Sequence, residues 1–277
     1  MKYHNRLPIL FLLFSLFFGN QANAQLGSKR IIGECDTCEP NDLSISDFDG
    51  DGLADVVVVY YNGPVDLVWL KNLGEEGFDE PQIIIESASR GLHVKSADLD
   101  NDGDQDLVVS SVFPSKIEYL LNDGLGNFSA PILLTENIPN PSLLELADLN
   151  DDGFLDFFTS DSGLDDVLVM YNNNGVGFTA QNYPVVQGSR VYKAADLDQD
   201  GDLDLIGASS RFIQWIENTG NGFAEREILI TYPANNFVSA LQVYDMDDDG
   251  DLDFLMAHNS DRIFSSKNDG TGAFSEP

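Results

Sequence analysis

Five copies of one acidic nine-residue pattern, D-x-[DN]-x-D-G-x-x-D, constrain the fold of this 277-residue chain more than any other feature. A single match would be weak evidence, whereas five matches at a nearly constant period of about 50 residues indicate an internal repeat of one structural unit. We name the copies Asp loops 1 to 5 and number their residues as positions 1 to 9. They begin at Asp47, Asp98, Asp148, Asp196 and Asp245.

The rest of each unit also repeats, and its composition indicates β-structure. A β-rich run follows each Asp loop, and a second apolar run then ends at an asparagine, followed by a Gly-rich turn and a phenylalanine. The asparagines are Asn72, Asn122, Asn172, Asn218 and Asn268, and the phenylalanines are Phe78, Phe128, Phe178, Phe223 and Phe274. Each unit therefore holds about four short strands, and no segment shows a helical period. This spacing predicts an all-β fold, a β-propeller of about five four-stranded blades.

The two ends of the repeat array suggest how a ring could close. The run Arg30–Ile32 precedes Asp loop 1 at nearly the spacing at which Ile84 precedes Asp loop 2. We expect this N-terminal strand to complete the last blade, because closure removes sheet edges that would otherwise be exposed. Residues 25–277 would then form one β-propeller domain. The alternative is that the chain is part of a larger propeller.

The Asp loops have the chemistry of a calcium site. Ca²⁺ takes six to eight oxygen ligands at flexible spacing, and each loop offers side-chain oxygens at positions 1, 3, 5 and 9 and a carbonyl at position 7. Glycine at position 6 permits the sharp turn around an ion. The predicted ligands are Asp47, Asp49, Asp51 and Asp55; Asp98, Asp100, Asp102 and Asp106; Asp148, Asn150, Asp152 and Asp156; Asp196, Asp198, Asp200 and Asp204; and Asp245, Asp247, Asp249 and Asp253. We expect about five Ca²⁺, one in each repeat.

Three alternatives to a calcium loop within a β-hairpin can be weighed. A plain Asp/Gly turn needs one aspartate, whereas several converging carboxylates repel one another unless a cation neutralises them. Mg²⁺ is disfavoured because it gives up its waters reluctantly. An EF-hand would require a glutamate at position 12 and flanking helices. Position 12 instead holds Val58, Val109, Thr159, Gly207 and Met256.

The Asp loops and the N-x-G-x-G-x-F turns together resemble the FG-GAP and VCBS repeats, which also form the propeller of integrin alpha subunits. The resemblance extends over residues 31–277. It implies a calcium-binding β-propeller that serves in extracellular adhesion or recognition. Propellers of that family usually have seven blades, whereas this chain contains five repeats.

The N-terminus has the layout of a secretory signal peptide. Lys2 and Arg6 precede the apolar run Leu7–Phe18, and Ala22-Asn23-Ala24 fits a cleavage site before residue 25. The run is too short for a membrane span, which needs about 20 residues. We therefore expect a secreted protein (extracellular, cell-surface or periplasmic) without a transmembrane segment after cleavage of residues 1–24.

Two cysteines, Cys35 and Cys38, are spaced C-x-x-C near the start of the exported chain. In an exported protein this spacing favours a small local disulfide. A zinc site would need further ligands, and only two histidines, His93 and His258, follow the signal peptide. We expect the disulfide to be structural.

Charge and motif content separate the remaining classes of function. The net charge of −33 argues against nucleic-acid binding, which requires clustered Lys and Arg. No G-x-S-x-G, P-loop or Rossmann pattern occurs, and His93 and His258 are isolated. We therefore expect a non-enzymatic binding or adhesion module for a glycan or protein. The alternative is a polysaccharide lyase or hydrolase on a propeller scaffold.

One set of aromatic residues could serve either packing or recognition. Trp69, Tyr119, Trp215 and Phe264 occupy similar positions in their repeats. They could pack between blades or form a platform on which sugar rings stack, and packing is the more common role.

Overall fold

The computed structural model describes residues 38–275 except 64, 87–89, 137, 139–140, 142–143, 161–165, 186–190, 232–237, 259–261 and 272. This part of the chain is all β, with nineteen strands and one 3-10 turn at Gly74–Glu76. The strands are β1 (Glu39–Ser46), β2 (Asp55–Asn62), β3 (Leu67–Leu70), β4 (Gln82–Ile85), β5 (Gly91–Ala97), β6 (Asp106–Val112), β7 (Ser115–Leu120), β8 (Ile132–Thr135), β9 (Glu145–Ala147), β10 (Asp156–Ser160), β11 (Asp166–Asn172), β12 (Phe178–Pro184), β13 (Val191–Ala195), β14 (Asp204–Ala208), β15 (Phe212–Ile216), β16 (Glu227–Thr231), β17 (Val238–Tyr244), β18 (Asp253–His258) and β19 (Arg262–Ser266).

The strands form five antiparallel sheets, each a meander in which neighbours in sequence are neighbours in space. Sheets 1 to 4 contain β1–β4, β5–β8, β9–β12 and β13–β16, and sheet 5 contains β17–β19. The predicted all-β fold with units of about four strands is confirmed. The run Arg30–Ile32 lies outside the described residues, so closure of the ring by this strand stays a prediction.

Each Asp loop connects the first and second strands of its sheet, and in sheets 2 to 5 the second strand is the most deeply buried one. Strands β10 and β14 are buried at every residue, and β6 at all but its last. In each of them two or three consecutive apolar residues follow the first aspartate, as expected of strands that are covered on both faces. The position-9 aspartate is the first residue of each of these strands, so the loop is anchored directly to the core.

The hydrophobic core lies between sheets. Four clusters of buried side chains each join one sheet to the next along the chain. Representative pairs, one residue from each sheet, are Val57 with Leu107, Ile117 with Phe157, Val169 with Leu205, and Ile206 with Phe254. Within the described ranges, none of these clusters joins sheet 5 to sheet 1. Stability is therefore shared between successive repeats, as in other repeat architectures.

The repeated aromatic residues contribute to these contacts between sheets. Trp69 is 4% exposed, and a Cβ built on Gly126 of sheet 2 would lie 2.2 Å from its ring, so only glycine fits over the indole. Tyr119 of sheet 2 packs edge-to-face on Phe178 of sheet 3, with ring centroids 5.5 Å apart. At these two positions the aromatic side chain is used for packing, which leaves little ring surface for a sugar.

The repeated asparagine, whose role the sequence did not reveal, joins sheets 2, 3 and 4 to the sheets that precede them. Its Nδ2 donates to the position-2 carbonyl of the preceding Asp loop, from Asn122 to Phe48 (2.8 Å), from Asn172 to Leu99 (2.7 Å) and from Asn218 to Leu149 (2.7 Å). The same amide also donates to the position-8 carbonyl of its own loop. These asparagines are buried, so both carbonyls depend on them for a hydrogen bond.

The N-terminal predictions fall mostly outside the described residues, which begin at Cys38. Cys38 is disulfide-bonded, and Cys35 is the only other cysteine of the chain. Because Cys35 is not described, the local disulfide stays a prediction. Among the residues that are described, no helix has the length and apolar character needed to cross a membrane.

The asparagine bridge makes a testable contribution to stability. Asn172→Ala removes the donor for the buried carbonyl of Leu99 and the partly buried carbonyl of Leu155, and leaving these two acceptors unpaired costs about 2 to 4 kcal/mol. We expect urea unfolding to show a loss of this size. The exposed asparagine Asn221 is the matched control, and Asn221→Ala should change the free energy of unfolding by less than about 0.5 kcal/mol. Equal losses in the two variants would contradict the bridge.

Candidate metal centres

The first carboxylate of each Asp loop shapes the turn. Its Oδ2 accepts the backbone N–H of the position-6 glycine in all five loops, at 2.8 to 3.2 Å. The backbone turns because position 4 and position 6 both have positive φ, and the position-6 glycines have φ of 86° to 101°. Residues other than glycine rarely adopt such φ angles, which explains the glycine at position 6. The aspartate and glycine spacing therefore encodes one loop conformation five times.

The position-9 aspartate ties the loop to two other segments. It is fully buried in every repeat, as seen at Asp55, Asp106, Asp156, Asp204 and Asp253. One oxygen accepts the N–H of position 2, at 2.9 to 3.3 Å. The other accepts the N–H of the repeated asparagine, at 2.7 to 2.9 Å. Each oxygen has lone pairs left over that can face a cation.

Three of the four predicted ligands converge in four of the loops. One carboxylate oxygen from each of positions 1, 3 and 9 lies within 4.8 Å of the other two. The clusters are Asp47, Asp49 and Asp55; Asp98, Asp100 and Asp106; Asp196, Asp198 and Asp204; and Asp245, Asp247 and Asp253. In Asp loop 3 the third position is Asn150, so the corresponding oxygen there belongs to an amide.

The predicted ligands at position 5 lie outside these clusters and are exposed. They are Asp51, Asp102, Asp152, Asp200 and Asp249. Each uses Oδ1 to accept the N–H of position 7, at 2.9 to 3.0 Å. This bond stabilises the turn and leaves Oδ2 for other partners. In Asp51 it lies 3.1 Å from Nζ of Lys71, and in Asp152 it accepts from Nδ2 of Asn150 at 3.1 Å. Position 5 therefore completes the loop conformation, while positions 1, 3 and 9 supply the converging oxygens.

Burial and mutual repulsion disfavour the charged forms of these carboxylates. Burial raises the pKa of Asp106 and of Asp156 to about 6, although two backbone N–H groups partly offset the effect in each. Burial and the neighbouring position-5 and position-1 carboxylates also raise the pKa of Asp100. A divalent cation at this point would reverse the effect, because opposite charge stabilises the ionised form.

Two buried carboxylate oxygens without a hydrogen-bond partner in the described part of the chain indicate whether a cation fits the Asp loops. Oδ1 of Asp49 and Oδ1 of Asp196 are buried and, among the described residues, have no hydrogen-bond partner. An unsatisfied buried carboxylate oxygen is costly, and a hard cation with oxygen ligands would satisfy it. The donor set, which consists only of oxygens, fits Ca²⁺ and excludes a preference for zinc or copper.

Two lysine side chains contact carboxylates of the Asp loops. Nζ of Lys71 contacts Oδ2 of Asp49 and lies 3.1 Å from Oδ2 of Asp51 in Asp loop 1. Nζ of Lys267 lies 2.5 Å from Oδ2 of Asp247 in Asp loop 5, and its hydrogen bond lowers the pKa of that carboxylate. The five loops are therefore not equivalent.

The two histidines lie apart from the Asp clusters. Nδ1 of His93 on β5 is 3.3 Å from Oδ2 of Asp42 on β1, and this pair joins sheet 2 to sheet 1. His258 is buried and packs edge-to-face on Phe264, with ring centroids 4.7 Å apart. Both histidines thus have contacts of the kind found in structural side chains.

A cavity of about 480 Å³ opens beside Asp loop 4, between sheets 4 and 5. Its lining combines an aromatic ring with hydroxyl and carboxylate groups, supplied by Asp198, Trp215, Glu227 and Thr271. The volume falls within the range of about 300 to 1,000 Å³ that is typical of small-molecule sites.

Comparisons with known proteins agree with this architecture. The sequence model described as "FG-GAP-like repeat" matches residues 47–109, 98–159 and 196–256. No curated protein sequence matches the chain significantly.

Solved structures of the same fold include a lectin of Agrocybe aegerita that specifically recognises non-reducing terminal N-acetylglucosamine. Its TM-score is 0.60 and its sequence identity is 19%, over 87% of this chain and 65% of the lectin chain. They also include BBS1N in complex with ARL6DN, with a TM-score of 0.53 and 13% identity over 86% of this chain and 68% of that one. The chain thus spans about two thirds of the length of these relatives, which are β-propellers. At these identities the likeness shows the fold alone.

The raised pKa values predict how calcium and protons compete. Carboxylates such as Asp106 and Asp156, with a folded pKa of about 6, bind protons more readily in the folded state than in the unfolded state. In calcium-free protein their contribution to stability therefore falls as pH rises from about 4 to about 6. Calcium requires the ionised form, so the increase in melting temperature on adding calcium should be larger at about pH 7.5 than at about pH 5.

Thermal unfolding followed by circular dichroism, at constant ionic strength, measures this difference. A calcium-induced increase of equal size at both pH values would contradict the assignment of these carboxylates as ligands.

Proposed function

The chain belongs to the FG-GAP-like repeat family, and from that premise we propose that it is an exported β-propeller that binds a glycan or protein and is held rigid by structural calcium. The observation that carries the proposal is the convergence of position-1, position-3 and position-9 carboxylates in four Asp loops. We assign one calcium to each of the five loops, with the side chain of Asn150 completing Asp loop 3. Position 5 and the position-7 carbonyl complete each coordination sphere.

Calcium in an Asp loop would stabilise the contact between two sheets. The position-2 carbonyl of the loop accepts the asparagine of the next sheet, so fixing the loop also fixes that bridge. Extracellular calcium modules bind with Kd of about 0.1 to 1 mM. At about 1 mM free calcium, a site with a Kd of about 0.1 mM contributes roughly 1.4 kcal/mol to folding. Five such sites are comparable with the whole stability of a typical domain, about 5 to 15 kcal/mol.

Export is proposed from the N-terminal sequence. Residues 1–24 have the charged start, the short apolar run and the small-residue cleavage site of a signal peptide. Calcium is abundant at millimolar concentration outside cells, which suits sites of modest affinity. The role of the metal is therefore structural and constant, since its concentration there changes little.

Binding without catalysis is the role that we propose for the surface. Both histidines have structural contacts, and the acids outside the Asp loops show no second repeated or paired arrangement in the sequence. The cavity beside Asp loop 4 offers a ring face and polar groups, the combination that recognises the apolar face and hydroxyls of a sugar. The fold shared with an N-acetylglucosamine-recognising lectin is compatible with a glycan ligand. Cell-surface adhesion would be one use of such a module.

The metal dependence can be measured directly by thermal unfolding. We expect the melting temperature of chelator-treated protein to rise strongly with Ca²⁺ and weakly with Mg²⁺ at the same concentration, because Mg²⁺ demands a smaller octahedral cage. NaCl of matched ionic strength is the control for simple charge screening. A melting temperature indifferent to Ca²⁺ would contradict structural calcium, and equal responses to Ca²⁺ and NaCl would assign the effect to screening.

The ligand class can be tested on a glycan array and on immobilised matrix proteins, in calcium and in chelator. We expect binding in calcium that is lost in chelator, without release of reducing or unsaturated sugar ends. If the ligand is a glycan held in the cavity, Glu227→Gln should weaken binding about tenfold by removing a charged hydrogen-bond acceptor. The exposed Glu136 of sheet 2 is the matched control, and Glu136→Gln should bind normally. Cleavage of a polysaccharide would contradict the non-enzymatic role.

A further inference from the structure

The Asp loops differ at one position that lies outside the repeated acidic motif. The residue before the repeated asparagine ends the third strand or directly follows it, and its side chain can reach the Asp loop of the same sheet. This position holds Lys71, Leu121, Tyr171, Glu217 and Lys267 in sheets 1 to 5. Only sheets 1 and 5 therefore place a cationic side chain here.

Both lysines contact the Asp loop of their own sheet. Nζ of Lys71 contacts position 3 of Asp loop 1 and lies 3.1 Å from the carboxylate at position 5. Nζ of Lys267 lies 2.5 Å from the carboxylate at position 3 of Asp loop 5. In both loops the position-3 carboxylate also belongs to the converging cluster, so the ammonium is bound to an oxygen-bearing group that a metal ion would use.

Asp loops 2 and 4 provide the contrast. They carry the same clusters of three aspartates, and the residues at the lysine position are Leu121 and Glu217. Position 7 holds an additional aspartate in Asp loops 2, 4 and 5 (Asp104, Asp202 and Asp251), so this extra charge does not separate them from Asp loop 5. What distinguishes Asp loops 2 and 4 from Asp loops 1 and 5 is that no lysine stands before the repeated asparagine.

We propose that Lys71 and Lys267 are built-in cations of Asp loops 1 and 5 whose charge opposes calcium binding there, so that calcium fills Asp loops 2 and 4 first. The proposal rests on the calcium role given above and divides the sites into two classes. In calcium-poor conditions the lysines offset part of the negative charge of Asp loops 1 and 5, and no lysine does so at the corresponding position of the inner loops. An ammonium and a divalent ion on one carboxylate compete because their positive charges repel each other and draw on the same negative charge.

The lysine variants separate this competition from ordinary ion pairing. The double variant Lys71→Met/Lys267→Met removes the two ammonium groups and keeps the length of their aliphatic stems. The matched control is Lys116→Met/Lys193→Met, since those lysines pair with Glu118 (2.7 Å) and Glu145 (3.0 Å), which are not among the predicted calcium ligands.

The expected results have opposite signs in the two conditions. In chelator, Lys71→Met/Lys267→Met should melt below the wild type, because the carboxylates of two loops lose the ammonium that pairs with them. In saturating calcium it should melt at or above the wild type. The calcium affinity of the weaker class of sites, measured by equilibrium dialysis, should rise about fivefold, which is the upper range for a solvent-accessible ion pair. The control should show the same small change in both conditions.

A converse variant adds the ammonium to Asp loop 4. Glu217→Lys should weaken one of the high-affinity calcium sites about fivefold, whereas Glu217→Gln, which removes the same acid without adding a cation, should leave that site within about twofold. Expression and folding can be confirmed by the melting temperature in saturating calcium.

The outcomes distinguish this proposal from the calcium role itself. Five equivalent calcium sites whose affinities do not respond to either lysine change would overturn the lysine proposal and leave structural calcium standing. Absence of calcium binding in every variant would overturn both. A double variant that melts with or above the wild type in chelator would show that the lysines do not act as internal cations.

Discussion

A fully buried aspartate at the start of the second strand of every sheet is the constraint on which the structure depends. Its two oxygens fix the Asp loop that precedes it and the third strand that follows it. This geometry is achieved by placing a carboxylate in the core, where its charge is disfavoured, as the raised pKa of Asp106 shows. The neighbouring carboxylates at positions 1 and 3 increase the cost. A cation at the centre of the loop would offset it, so the fold and the proposed metal role would share one cause.

The bridge between sheets explains why the loop matters beyond its own repeat. Asn172 donates to the loop of the preceding sheet and to its own loop, and Phe178 packs across the same junction on Tyr119. The hydrophobic clusters also lie at these junctions. A disturbance in one Asp loop is therefore transmitted to the next sheet through defined contacts, and stability depends on nearest neighbours.

Sequence alone predicted the all-β class, the repeat units and the acidic clusters. A period of about 50 residues and the regular spacing of the aspartates can both be read from the sequence. It did not predict the part of the asparagine, since a hydrogen bond to a carbonyl of the preceding sheet, such as that from Asn122 to Phe48, spans 74 residues. It also treated the four ligand positions alike, whereas folding brings positions 1, 3 and 9 together and leaves Asp102 exposed. The lysines were missed because they lie outside the motif and reach it only through strand register.

The central claim, that the Asp loops are calcium sites, can be tested most directly by anomalous diffraction from crystals grown in calcium. We expect anomalous difference peaks among the carboxylates of positions 1, 3 and 9, and the strongest peaks in Asp loops 2 and 4. Each peak should be surrounded by six to eight oxygens at about 2.3 to 2.6 Å. Ordered Asp loops with no anomalous peak at millimolar calcium would contradict it, and the convergence of the aspartates would then require another explanation.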